Sequence, residues 1–413
     1  MRAKRHSIYR NETKQGRGKK FNLFFFFLSS PPLQLGEGGF ACVYGVKREG
    51  QEGGRKLFAL KRVVASSREC LEAARREVAA ARAAAEFSSS PPSPRAVAVV
   101  GLLPLLASEE KQGRTTDGKA TVEVLLLFPF CAGGSLADVV VEVKKERAEG
   151  EKEGEWQQRK KKKREEILSI ATLLRVFADV AEGLSKLHSS KKLGHFDVKP
   201  HNIFLLSREG EEEDAPSWRA ALGDWGSARR VPIPLSSHAG ALAVCEEAER
   251  STTAAYRPPE LWDPLHFAAA AAAARGGGGK EREVSGSAGK EREVSGSADI
   301  WSLGACLFAC LGDGRSPSEV AAGAGGGGSL SLAACSGRVE WPLSSLPAPP
   351  LLSVAGRGAS SSSSASCFVP SSAVKALVEQ CLSLDPEKRP SAAAFAAEAR
   401  SLAEGIEKRR TKS

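Results

Sequence analysis

Leu193-Gly-His-Phe-Asp-Val-Lys-Pro-His-Asn-Ile-Phe-Leu205 is the stretch that decides how this chain is read. It sets a carboxylate (Asp197), an ammonium (Lys199) and an amide (Asn202) within six residues, just before a short apolar run. Asp224-Trp-Gly226 follows 22 residues after Asn202, behind a second short apolar run at 220–223. One carboxylate to orient a hydroxyl, with an amide and another carboxylate to hold Mg²⁺, is the inventory that phosphoryl transfer needs.

Upstream, the run Gly36-Glu-Gly-Gly-Phe-Ala-Cys-Val43 lies between two strand patterns. Glycines there let a hairpin fold closely over phosphates, with amide N–H groups as donors. Taken alone such a run is an ordinary turn. Its successor adds weight: Ala59-Leu-Lys61 sits in an apolar strand pattern, 57–64, where an inward lysine is costly unless it pairs. Glu77, 16 residues on in an alanine-rich helical pattern (70–86), could be that partner or could lie on a solvated helix face. Further apolar strand candidates are 96–107 and 122–130. Helical patterns then dominate at 136–147, 167–188, 298–312, 372–384 and 391–405. A sheet-rich part followed by a larger helical part is an α+β, two-lobed arrangement.

Charge says little about partners. The 413 residues carry a formal +10, but the excess sits at the two ends. Residues 1–34 hold eight Lys or Arg against one Glu, residues 400–413 hold five against two, and the middle balances to zero. Specific nucleic-acid binding is therefore not expected. The nine cysteines form no CxxC pair and resemble reduced intracellular thiols. The longest apolar run, 96–107, is broken by Gly101 and Pro104, too short for a span of about 20 residues. His188, His201, His238 and His266 show no metal-ligand spacing.

Low-complexity segments near 144–166, 207–217, 268–298, 321–329 and 343–366 read as surface insertions. Residues 279–288 (GKEREVSGSA) repeat letter for letter at 289–298, as a tandem duplication or an assembly error would. Residues 1–34 read as a basic segment outside the fold, disordered or an artefact of the gene model. The tract FFFFLSSPPLQ at 24–34 can be encoded as a pyrimidine run ending in CAG, like a splice acceptor.

With these motifs in this order, the chain resembles a eukaryotic protein kinase over residues 35–404. Later landmarks agree: Tyr256-Arg-Pro-Pro-Glu260 resembles the APE motif, Asp299-Ile-Trp-Ser-Leu-Gly304 the DxWxxG helix start, and Arg389 the late arginine that pairs with Glu260. The glycine loop GEGGFACVY, the Gly-Ser-Ala after Asp224-Trp and the stretch ALAVCEEAERSTTAAYR (241–257) resemble the Numb-associated kinase family. Within it they are most like the myristoylated and palmitoylated serine/threonine kinase branch, and Ala/Glu composition there permits a helical activation segment.

The resemblance implies a bilobal fold: an N-lobe at 35–128, a hinge at 129–131, a C-lobe at 132–404 and a basic tail at 405–413. It implies ATP and Mg²⁺ as cofactors. Gly36, Gly38, Gly39 and Val43 would cover the nucleotide, and Ala59 with Val43 would sandwich the adenine. Phe128 would be the gatekeeper before a hinge including Pro129 and Cys131. Lys61 would contact phosphates and pair with Glu77. Asp197 would be the catalytic base, Lys199 would neutralise the transferred phosphoryl group, and Thr253 would brace both. Asn202 and Asp224 would hold Mg²⁺, and His195 would be a structural core residue packed on the Asp-x-Gly segment.

Two departures bear on activity. Phe196 stands where most kinases carry an arginine that meets an activation-loop phosphate, so such a phosphate is not expected to order this loop. Trp225 replaces a phenylalanine, a bulky apolar side chain for another. The function expected is ATP-dependent phosphorylation of Ser or Thr hydroxyls on protein substrates. Alternatives are a pseudokinase scaffold, which Phe196 motivates, and a small-molecule phosphotransferase. The thiols and the resemblance lead to an intracellular, cytoplasmic location, and membrane association at Golgi or vesicle surfaces is implied by the resemblance only.

Overall fold

The structure is a computed structural model that describes residues 26–38, 41–48, 57–87, 101–114, 118–149, 169–207, 218–235, 237–265, 293–324, 328–341 and 372–410. These fall into two compact units. The class is the expected α+β.

The first unit is a five-stranded antiparallel sheet with one helix. Its strands are β1 (Phe26–Gly38), β2 (Ala41–Arg48), β3 (Leu57–Ala65), β4 (Ala107–Arg114) and β5 (Ala120–Pro129), in the order β1-β2-β3-β5-β4. Helix α1 (Arg68–Ala85) follows β3. Register sorts the side chains by face, because directly opposed residues share one. Val46 opposes Phe58, Tyr44 opposes Leu60, and Leu60 opposes Leu127. These five, with Leu106, form an apolar cluster. Gly36 opposes Val43, Val43 opposes Lys61, and Ala59 opposes Phe128. By the period of two, that second set lies on the other face.

Two sequence expectations change here. Of the apolar run 96–107, residues 101–106 form no strand, and Ala107 alone among its described residues enters one. Gly101 has φ +68°, and a Cβ there would lie 1.7 Å from the Asp179 carbonyl oxygen, so the chain turns instead. Leu102, Leu103, Leu105 and Leu106 are nonetheless buried. The strand lies just after, in the polar ASEEKQGR of β4, an edge strand that needs little apolar surface. The fold also begins before Leu35: Phe26 to Leu28 pair with Arg48 to Val46, and pairing resumes from Leu33 opposite Gly45. Between them Pro31 and Pro32 offer no N–H to a ladder, which accounts for the irregularity.

The second unit is mainly helical. Helices α2 (Leu136–Glu149) and α3 (Ile170–Lys186) come first, and α3 is capped by the Ser169 hydroxyl accepting from Thr172 N–H. A π-helical turn, Leu187–Lys191, extends α3. Short strands β6 (Leu193–Gly194), β7 (Ile203–Ser207), β8 (Trp218–Leu222), β9 (Arg229–Arg230), β10 (Ile233–Pro234) and β11 (Glu293–Val294) pair as β6-β9, β7-β8 and β10-β11. Helices α4 (His238–Ser251), α5 (Pro259–Trp262), α6 (Ser297–Leu311), α7 (Pro317–Ala324), α8 (Leu330–Ser336), α9 (Ser372–Cys381) and α10 (Ala392–Arg410) complete it. Helix α6 is buried all round, as the central helix of a core is. Gly304 admits this: a Cβ there would meet the Cys381 Cβ at 2.4 Å.

The insertion expected over 268–298 ends earlier than that. Its second decapeptide copy supplies β11 and the start of α6, with Val294 fully buried. Likewise α2 runs into the segment 144–166, and α7 occupies 321–324. Residues 1–25, the first decapeptide copy and the segment 343–366 lie outside the described residues. Among the described residues, no helix is long and apolar enough to cross a membrane.

Candidate active site

On the sheet unit, Lys61 Nζ donates to Glu77 Oε1 at 2.6 Å. Lys61 is in mid-β3 and Glu77 is on the buried side of α1, only 5% exposed. The sequence left Glu77 between partner and solvated face; the helix phase that buries Ala74, Val78 and Ala81 carries it inward. Gly36, Val43, Ala59, Lys61 and Phe128 share one face of the sheet by register, with Phe128 buried. Gly38 pairs with Ala41 at the end of β1, while Gly39 lies outside the described residues. Pro129 ends β5. Burial pushes the Cys131 thiol up to about 12, so it stays protonated at neutral pH.

In the helical unit the loop 195–202 converges on Asp197. Thr253 donates to Asp197 Oδ1 through both its N–H (2.9 Å) and its hydroxyl (2.7 Å). Lys199 Nζ pairs with Asp197 Oδ2 at 2.7 Å and donates to the Thr253 hydroxyl at 2.8 Å. Asn202 Nδ2 donates to the Asp197 carbonyl at 2.9 Å and to its Oδ2 at 3.2 Å. A carboxylate with this many charged and neutral donors has a fixed direction. Using Nδ2 this way leaves these bonds off the Asn202 amide oxygen.

Asp224 has φ +62° and stands exposed between buried Gly223 and buried Trp225. His195 is fully buried: its Nε2 lies 3.1 Å from the Gly223 carbonyl and its ring meets Trp225 edge-on at 5.3 Å. Sequence reasoning gave His195 this structural place.

It did not give Asp299 one beyond a helix start. The Asp299 carboxylate, fully buried in the first turn of α6, accepts from His195 N–H (2.8 Å), Phe196 N–H (2.7 Å) and the His188 ring (2.8 Å). Burial works to raise its carboxyl, but the hydrogen bond and charge of His188, then His195, hold it below the ordinary value. His188 and Asp299 are 111 residues apart, so no local spacing announces them. Further along, Arg257 stacks on Trp262 at 4.1 Å and donates to the Thr252 hydroxyl at 2.7 Å, which steadies the turn before Thr253. Glu260 and Arg389 form a bidentate pair at 2.6 and 2.8 Å.

A carboxylate and an amide oxygen are hard donors of the type Mg²⁺ prefers, so Asp224 and Asn202 fit that ion chemically. Among the described residues no cluster of three or more His, Cys, Asp or Glu forms any other metal site.

Comparison with known proteins agrees with this geometry. The protein kinase domain family matches residues 32–272. Serine/threonine-protein kinase 16 of Mus musculus is 27% identical over 278 residues, 67% of this chain and 67% of that protein. Serine/threonine-protein kinase ppk13 of Schizosaccharomyces pombe is 30% identical over 198 residues, 48% of this chain and 41% of its own length. A probable serine/threonine-protein kinase of Dictyostelium discoideum is 23% identical over 231 residues, 56% of this chain. The chain spans only 16% of that protein and 23% of a second Dictyostelium relative. Among solved structures, the ROP18 kinase domain in complex with AMP-PNP and sucrose superposes with a TM-score of 0.50 at 15% identity, covering 91% of this chain and 81% of that one. That likeness is one of fold.

Proposed function

This chain belongs to the protein kinase domain family, and from that premise we propose that it is an ATP-dependent protein serine/threonine kinase. The observation that carries the reading is the Thr253 hydroxyl, shared between Asp197 and Lys199. It fixes a carboxylate and an ammonium side by side, with the lysine two residues after the aspartate. In this reading the substrate hydroxyl oxygen attacks the γ-phosphorus and its proton passes to the Asp197 carboxylate. The bond from the γ-phosphorus to the bridging oxygen breaks, and ADP leaves. Lys199 offsets charge on the transferred group.

Lys61, steadied by Glu77, takes the nucleotide's α- and β-phosphates. Val43 and Ala59 enclose the adenine, Gly36, Gly38 and Gly39 cover the phosphates, and Phe128, Pro129 and Cys131 are the gatekeeper and hinge. Asn202 and Asp224 would hold Mg²⁺, which when bound supplies charge neutralisation on the phosphate oxygens. Membership of the Numb-associated family is supported by the GEGGFACVY loop and by α4 in the activation segment. A Golgi or vesicle location rests on that resemblance alone.

The test is transfer from radiolabelled ATP to a degenerate peptide array with Ser, Thr or Tyr as sole acceptor. Label on Ser and Thr peptides is expected, and label confined to Tyr peptides would refute the assignment.

A further inference from the structure

Phe196 contributes no polar atom to the chemistry described above, yet it sits between His195 and Asp197 in a demanding conformation. Its φ is +62°, a backbone region that a bulky side chain rarely enters. Such strain persists where the surroundings over-determine it. Here the Phe196 N–H is held by Asp299 Oδ1 at 2.7 Å. The ring is 6% exposed in an apolar cluster with seven other buried residues, among them Val231, Leu235, Ala241 and Ala248. Gly194 makes room for it, since a Cβ there would lie 2.7 Å from Phe196 Cε2.

These four of the seven lie in 231–248, between the Asp224 turn and Thr253. Two of them, Ala241 and Ala248, are the only fully buried residues of α4. The end of α4 is tied in both directions. The Ser227 hydroxyl donates to the Ser251 carbonyl, and Arg229 pairs with Glu247. Arg229 also donates to the Gly226 and Ala228 carbonyls, at 3.2 and 2.9 Å. Two residues past the helix, Thr253 reaches Asp197.

We propose that Phe196 is a positioning residue that seats α4 by apolar packing, so that Thr253 and the Asp224 turn are set without a phosphate on the activation segment. A phosphate-reading arginine would need an anion at that place. The ring instead uses burial, which is present as soon as the chain folds. Arg229 supports this device from outside the cluster: its guanidinium is already committed to Glu247 and two carbonyls. The claim for activity rests on the serine/threonine kinase reading, while the claim for α4 does not.

The experiment uses the full chain, treated with phosphatase, as wild type, Phe196→Arg and Phe196→Leu, with Phe196→Ala in place of the arginine variant if that does not fold. Three readouts are taken: peptide and ATP kinetics, melting temperature, and hydrogen exchange across 241–253. Dephosphorylated wild type should keep its kcat/KM. Phe196→Arg should lose about a hundredfold in kcat/KM for peptide, the scale of a misplaced reacting group, with KM for ATP little changed. Its 241–253 amides should exchange faster than those of α6. Phe196→Leu, which refills the cluster, should recover to within about tenfold of wild type. Loss of wild-type activity on phosphatase treatment would overturn the proposal, as would a fully active Phe196→Arg. If wild type transfers no phosphate at all, the kinase reading fails instead. Exchange then decides this one, and unaltered protection of 241–253 in Phe196→Arg overturns it.

Discussion

Two ion pairs, one joining residues 16 apart and the other residues 129 apart, are built to opposite ends. Glu260 and Arg389 are 1% and 0% exposed at the side chain. Their pairing is bidentate, and two further guanidinium N–H groups go to the Ser383 and Ser297 carbonyls at 2.9 and 3.0 Å, with the plane over Trp301 at 5.1 Å. Lys61 Nζ meets Glu77 Oε1, and the lysine side chain is 17% exposed. A pair sealed from water, with four of the five guanidinium N–H groups bonded, serves to hold the fold. A pair whose cation still reaches solvent can also meet an anionic ligand. Burial, not distance, separates architecture from chemistry here, since both pairs have a 2.6 Å contact.

The largest effect should come from breaking that contrast by deletion. Arg389→Ala leaves Glu260 charged in the interior and should cost about 3–5 kcal/mol of stability by denaturant unfolding. Lys61→Ala, at a pair partly open to water, should cost less stability than Arg389→Ala but lower phosphotransfer by about 10²–10³-fold, the range seen when one preorganised charge is removed. A variant pair that gave the reverse pattern would erase the distinction.

A smaller effect concerns Asp299, which resembles Glu260 in burial but carries its charge for the catalytic loop. Its folded carboxyl lies below the ordinary value, so the folded state keeps the charge at pH values where the unfolded chain takes up a proton. Its contribution is therefore full above the unfolded value, about 3.9, and is lost as pH falls through the depressed folded one. Asp299→Asn should be about 1–3 kcal/mol less stable than wild type at neutral pH. Unfolding measured from pH 7 downward should show that gap narrowing below about pH 4. A gap independent of pH would mean that shape, not charge, is what Asp299 supplies.

The legible part of this molecule was the part carried by residues close in sequence. Asp197, Lys199 and Asn202 lie within one loop, and the glycine run and Lys61 lie on neighbouring strands, so type and spacing were enough to nominate them. The illegible part depends on long-range closure. His188 meets Asp299, Ser227 meets Ser251, and Phe196 finds its neighbours only once 231–248 folds back. Composition misled at the margins. Polar β4 is an edge strand and needs little apolar surface, whereas the leucines at 102–106 are buried without being a strand. The second copy of GKEREVSGSA reads as filler, yet its valine joins the same apolar cluster as Phe196 because its last six residues enter β11 and α6. Phe196 itself was read as a missing arginine, and its apolar seat shows what stands in that place.

The central claim is that Asp197 performs chemistry and does not merely complete a fold. The direct measurement sets γ-phosphate transfer from radiolabelled ATP beside thermal stabilisation by Mg-ATP, for wild type and Asp197→Asn. Transfer by wild type, with stabilisation kept and transfer lost in the variant, is the predicted result. Stabilisation of both proteins with transfer by neither would contradict it and make the chain a nucleotide-binding scaffold.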